Sequence, residues 1–338
     1  MTERNYAISI LRVSGMFSIV ICHFTGWLGI AFLQQFFNFG VYLFLFISGF
    51  LYANKDITNY GRWFLSRLEK ILIPYYLFAI PVIIIYYCFN SIDIFEILKY
   101  LFCLQGLNFV LNGVQFTEIA PLGNLWFITI ILICYLLTII VKKIEKNKKP
   151  RASVVTIILV AAFAVSSVLN YFSIPCISLG YFITYFIGYY ISKFKVKNSI
   201  FSFSILGVCL FAVSIIFRLL GKAYLDESNQ SAYLIIASVT HLGVAVSSYF
   251  FVAFLTEKVN LLGKLAKSKI WTALDKISYC IYITHYAFLH SITSVDNFGL
   301  SKPLTIVLFM VFTLVSALLI YWVNGIIQKR LHRIQNTY

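Results

Sequence analysis

Arg12 and His23 are where chemistry first becomes legible in this chain. Both interrupt a long apolar run, Ile8–Ile30, and an ionisable side chain in such a run is costly enough to mark a functional candidate. They stand eleven residues apart. On a helix that is about 16.5 Å of rise and about 20° of rotation, so both face one stripe. Burial favours the neutral imidazole, which can accept a proton. In a protein-lined cavity such a group suits a general base acting on a hydroxyl nucleophile. A plainer account fits the same pair: His23 hydrogen-bonds a neighbouring helix and Arg12 reaches the lipid headgroups. Spacing leaves both open.

A second pair, Arg67 and Lys70, closes the basic loop Asn54–Lys70, just ahead of the apolar run Ile71–Phe89. At i, i+3 they share a face if that stretch is helical. A guanidinium fork beside an ammonium point charge suits phosphates, although a basic loop of this kind also serves simply to set topology. The other ionisable groups within apolar runs are His241, His285 and His290. His285 and His290 fall about 140° apart on a helix, which makes no metal-binding face. The seven cysteines are scattered without a CxxC pair, so neither a disulfide framework nor a zinc site is expected, and no metal.

The elements that must carry these residues are membrane spans. Of 338 residues, 61% are hydrophobic and 12% charged, about half the charged share of a soluble domain. Mean hydropathy is +0.88. Apolar runs long enough to cross a bilayer recur along the whole length. The candidates are Ile8–Ile30, Phe36–Ala53, Ile71–Phe89, Leu122–Val141, Ser153–Leu169, Cys176–Ile191, Ile200–Leu220, Tyr233–Leu255, Ile277–Ile292 and Leu304–Ile327. Backbone in hydrocarbon must satisfy its own hydrogen bonds. The expected fold is therefore all-α: one polytopic transmembrane helical bundle of about ten spans over residues 1–338. Between Asn90 and Pro121 a short interfacial helix is expected at Ile94–Phe102.

The net charge of +15 would suit nucleic acid if it formed a patch, but it does not. With the N-terminus in the cytoplasm, 22 of the 27 Lys and Arg residues fall on the inner side and four on the outer. That asymmetry sets orientation, both termini inside, and implies a lipid environment with no nucleic-acid partner. The twelve acidic residues lie in loops or at span ends.

In this frame the motifs resemble acyltransferase family 3. They are Arg12-x10-His23, then Phe39-Gly40-Val41 with Ser48-Gly49-Phe50, then Arg67, Lys70 and Pro74. Later, Asn124-Leu-Trp126-Phe127 is similar to the family's Leu-Trp-Phe segment, and Ile277-Ser278-Tyr279-Cys-Ile-Tyr282-Ile-Thr-His285 to its late Ser-Tyr-x-Ile-Tyr-Leu-x-His segment. The resemblance implies an enzyme that takes an acyl group, usually acetyl, from cytoplasmic acyl-CoA. The acceptor it implies is a hydroxyl of a surface or secreted polysaccharide or its lipid-linked precursor. It makes His23 the catalytic histidine and Arg12 its partner, with Arg67 and Lys70, helped by Arg12, holding the CoA phosphates. Lys70 departs from the family's more usual arginine, keeping the charge without the fork. Trp126, Tyr282 and His285 match family positions; Tyr282 would support the site, His285 would support it or serve packing, and Trp126 would line the cavity or, the more ordinary use, belong to an interfacial belt. Ser48, beside Gly49, reads as helix packing rather than a nucleophile, since no acid–base partner is visible next to it. Tyr282, Asn124 and backbone N–H groups are all open as oxyanion donors. The match is to the stand-alone form, without the extracytoplasmic hydrolase-like domain that some members carry, in a bacterial inner membrane.

The competing reading is a transporter or flippase of glycans or lipids. Against it, no acidic residue sits mid-span for ion coupling, and the late glycines Gly180, Gly188 and Gly243 do not mark a repeated half with broken helices.

Overall fold

The computed structural model describes residues 5–90, 92–111, 119–172, 174, 179–195, 209, 212, 216, 230–257 and 259–335. Among them the regular structure is helical, with no strand. Among the described residues, seven helices are long and apolar enough to cross a membrane: Tyr6–Trp27, Ala31–Ala53, Tyr60–Phe89, Ala120–Asn147, Ala152–Leu169, Val239–Glu257 and Lys302–Leu331. The protein is an all-α integral membrane bundle. The expected span Ile200–Leu220 falls outside the described residues except at three positions.

The chain forms two compact units. The first comprises Met1–Thr58, Leu107–Gln115 and Ile130–Asp275; the second comprises Asn59–Gly106, Phe116–Thr129 and Lys276–Tyr338. In chain order the helices are α1 (Tyr6–Trp27), α2 (Ala31–Phe37), α3 (Gly40–Ala53), α4 (Tyr60–Phe89), α5 (Ile94–Leu101), α6 (Leu107–Val110) and α7 (Trp126–Asn147). They continue as α8 (Ala152–Tyr171), α9 (Gly180–Lys193), α10 (Gln230–Glu257), α11 (Leu261–Lys267), α12 (Lys269–Thr284) and α13 (Lys302–Gln335).

In the first unit, Asn5 starts α1 by accepting the Ile8 N–H at 3.1 Å, which satisfies one of the orphan donors of the first turn. Gly29, at φ +76°, turns the chain into α2. Helix α3 then packs on both α1 and α9. The small residues explain how closely. A Cβ on Gly40 would strike the Gly15 carbonyl, one on Gly49 the Tyr185 carbonyl, and one on Gly188 the Phe46 carbonyl. Lipid supplies no hydrophobic drive between helices, so backbone approach of this kind is what holds them. Lys142 closes the end of α3, its Nζ donating to the Ala53 and Lys55 carbonyls at 3.1 and 2.8 Å. Glu145 is bound in turn by Tyr189 and Lys193 at 2.8 and 2.9 Å.

In the second unit, α4 has 30 residues, about 45 Å of helix against a hydrocarbon core of about 30 Å. It begins at Tyr60, capped by Asn59 Oδ1 on the Arg62 N–H at 2.9 Å. The stretch expected as loop up to Lys70 is therefore helical from Tyr60 onward, because a side-chain cap is available twelve residues ahead of the apolar run. Helix α5 runs over Ile94–Leu101, within the stretch expected for a short helix, with Asp93 as cap, Glu96 in its first turn and Lys99 in its last, the charge order the helix dipole favours. Tyr75 and Tyr76 of α4 donate to the Tyr100 and Leu101 carbonyls at 2.7 and 2.6 Å, satisfying the end of α5.

The expected span Ile277–Ile292 is not one straight α-helix. Helix α12 ends at Thr284 and a 3₁₀ turn, His285–Leu289, follows. The residue types explain the break. Thr284 Oγ1 donates to the Cys280 carbonyl at 3.1 Å, and His285 Nδ1 lies 2.8 Å from the Tyr282 carbonyl. Side chains that occupy these carbonyls compete with the backbone ladder.

Candidate functional site

Arg12 and His23 both lie on α1, which runs unbroken through the two positions. The eleven-residue spacing therefore becomes the single stripe expected from it. Each is partly buried. Arg12 is not a lone cation: its Nη1 donates to Asp275 Oδ1 at 2.6 Å. Ser9, one turn before it on α1, donates through Oγ to Asp275 Oδ2 at 2.8 Å. The Asp275 side chain is only 10% exposed, against 36% for Arg12. In the sequence Asp275 is one of the acidic residues of loops and span ends, with nothing that marks it for a role. The available signal was an arginine in an apolar run, which requires an anionic or carbonyl partner, and Asp275 heads the segment that carries the late motif.

Also in the first unit, Ser48 is partly buried on α3 beside the Gly49 contact with α9, so its segment serves close packing. His241 of α10 is buried, its ring 4.7 Å from that of Tyr42.

In the second unit Arg67 and Lys70 stand within α4, so the condition attached to their spacing is met and they share a helix face. Arg67 is partly buried, with Nη2 3.3 Å from Ser66 Oγ, and Lys70 is exposed. Gln328 of α13 reaches the Glu69 carbonyl between them at 3.4 Å.

The two later motifs, far apart in sequence, are joined in this unit. Asn124 Nδ2 donates to the Tyr282 carbonyl at 2.9 Å, and Tyr282 Oη donates to the Asn124 carbonyl at 2.6 Å. Phe127 meets the Tyr282 ring edge-on at 5.8 Å. Both polar residues are buried. The single hydroxyl hydrogen of Tyr282 is committed to the Asn124 carbonyl, whereas the Asn124 amide carries a second N–H beyond the one given to Tyr282. Tyr279 Oη donates to the Ile71 carbonyl at 3.0 Å, one residue beyond Lys70. His285 is fully buried, with Nδ1 against the Ile281 and Tyr282 carbonyls at 3.2 and 2.8 Å. Two carbonyls require a donor, so Nδ1 carries a proton. Its place at a helix break, with both carbonyls taken, fits a packing role. Trp126, partly buried, opens α7. Among the described residues no three His, Cys, Asp or Glu side chains gather as a metal site.

Against known proteins, a family model described as an acyltransferase domain matches residues 5–322. Comparison with curated proteins gives no match, and comparison with solved structures gives none. The matched span includes Arg12, His23, Arg67, Lys70, Trp126, Tyr282 and His285.

Proposed function

Because the chain belongs to acyltransferase family 3, and is a membrane acyltransferase on that ground, we propose that it transfers an acyl group, acetyl first among the candidates, from cytoplasmic acyl-CoA to a glycan hydroxyl. The acceptor is a surface or secreted polysaccharide or its lipid-linked precursor, and the setting a bacterial inner membrane with both termini inside. The observation that carries this reading is the partly buried His23 on the same stripe of α1 as Arg12, within the matched acyltransferase domain.

The chemistry asks for few groups. His23 takes the proton of the acceptor hydroxyl as its oxygen attacks the thioester carbonyl carbon. The C–S bond then breaks, the new ester forms, and the CoA thiolate leaves and recovers the proton from His23. Arg67 and Lys70 hold CoA phosphates, Arg as a planar fork and Lys as a point charge. Arg12 guides the cofactor. Fixing both reactants supplies much of the acceleration, and a donor on the developing oxyanion supplies more. Acyl-CoA is a co-substrate, so no resident cofactor is required.

The test is transfer from radiolabelled acetyl-CoA by purified wild type and His23→Ala. Label on a glycan, or released CoA, that depends on His23 supports the reading. A well-folded wild type that turns over no acetyl-CoA with a range of acceptors removes the donor assignment and brings the transporter reading forward.

A further inference from the structure

We propose that Asp275, seconded by Ser9, is a positioning residue that sets the Arg12 guanidinium for a phosphate of the acyl donor; this rests on the acyl-CoA reading above. Ser9 and Arg12 are i, i+3 on α1 and so face the same way. One carboxylate receives both. Arg12 Nη1 holds Oδ1 at 2.6 Å and Ser9 Oγ holds Oδ2 at 2.8 Å. With each oxygen engaged by a different donor, the carboxylate is fixed in rotation as well as in position.

The two partners differ in exposure. Asp275 is 10% exposed and Arg12 36%. The acid is enclosed and acts as the anchor, while the base still reaches the surface. A carboxylate so enclosed would be costly without its cation, so the pair persists. A guanidinium carries five N–H donors in a rigid fork. Asp275 engages one nitrogen, and the remaining donors keep a fixed direction, the geometry that bidentate phosphate recognition needs. Without the anchor Arg12 is a long flexible side chain that must lose its rotamer freedom each time a ligand binds.

The measurement is the affinity of the full chain, in lipid nanodiscs, for acetyl-CoA and for acetyl-pantetheine, which lacks the nucleotide and its phosphates. Asp275→Asn keeps the shape and the acceptor for Ser9 but removes the charge. It should lower the preference for acetyl-CoA over acetyl-pantetheine by roughly tenfold, as expected for one charge-assisted contact. Asp275→Glu should recover part of that preference, and Ser9→Ala should lose a smaller part. Thermal unfolding of each variant identifies any that fails to fold, and Asp275→Glu then carries the comparison. An unchanged preference in folded Asp275→Asn overturns the inference and leaves the acyl-CoA reading standing. So does tighter acetyl-CoA binding, which would make Asp275 a competitor of the phosphate. A folded wild type that binds no acetyl-CoA overturns both.

Discussion

Gly49→Ala tests most directly whether helix α3 is held by backbone contact. A Cβ at Gly49 would overlap the Tyr185 carbonyl oxygen and lie 2.9 Å from Tyr185 C and 3.0 Å from Tyr189 N. All three neighbours are backbone of α9, so no side chain can swing aside. The reciprocal site is as tight, since a Cβ at Gly188 would strike the Phe46 carbonyl oxygen and sit 2.8 Å from Phe46 C. One methyl group therefore forces the two helices apart, and the loss extends along their contact. Overpacking of a fitted interior costs about 1–3 kcal/mol, and here the upper part of that range applies because the obstruction is backbone. The gain in helix propensity from Gly to Ala, about 1 kcal/mol, offsets only part of it. Thermal or denaturant unfolding in a fixed detergent should show Gly49→Ala and Gly188→Ala destabilised alike. Ser48→Ala, at the partly buried position beside Gly49, should unfold as wild type and keep activity. If Gly49→Ala unfolds as wild type does, close packing is the wrong account of this motif, and Ser48 regains interest.

Three further outcomes are expected. Tyr282→Phe strands the Asn124 carbonyl that its hydroxyl reaches at 2.6 Å and should cost about 1–3 kcal/mol of stability, measured by the same unfolding assay; an unaltered midpoint would count against the motif junction. Lys70→Arg keeps the charge and restores the fork, so acetyl-CoA affinity should hold or improve, whereas Lys70→Ala should weaken it several-fold; equal affinities in all three would remove Lys70 from the phosphate site. Burial raises the Cys103 thiol to about 11. The thiolate is the reactive form, and at pH 8 only about one part in a thousand is present. Maleimide should then label exposed Cys88 and spare Cys103, whose labelling rises only as pH approaches 11. Rapid labelling of Cys103 at pH 8 would contradict its burial.

The long elements were legible because lipid leaves the chain little choice. Apolar runs must be helical there, and α4, α8, α10 and α13 each contain the run expected, while α1 stops at Trp27, three residues short of its expected end at Ile30. What escaped the sequence reading turns on single polar side chains. Asn59 caps α4 and carries it back through Arg67 and Lys70, a consequence that hydropathy cannot register. Thr284 and His285 draw on carbonyls of the last turn of α12, so an apolar run that looks continuous is cut one residue before the histidine. The angular argument about His285 and His290 fails with that cut, because it assumes an unbroken α-helix through both.

The site shows the same division more sharply. Residue type and spacing picked out Arg12 and His23, because a charge in an apolar run is conspicuous. They could not pick out Asp275, which lies 263 positions from Arg12 and looks like any acidic residue near a span end. Yet the physics that made Arg12 conspicuous also demanded a partner, since a cation in such a run is stable only when something answers its charge. The twelve acidic residues of the chain made that a short search. An arginine met by a carboxylate that a serine also holds has lost much of its freedom to rearrange. Whatever anion it meets must therefore come to it in one orientation. That constraint is the reason to expect a change of selectivity between phosphate-bearing and phosphate-free donors, rather than a uniform loss of binding, when Asp275 loses its charge.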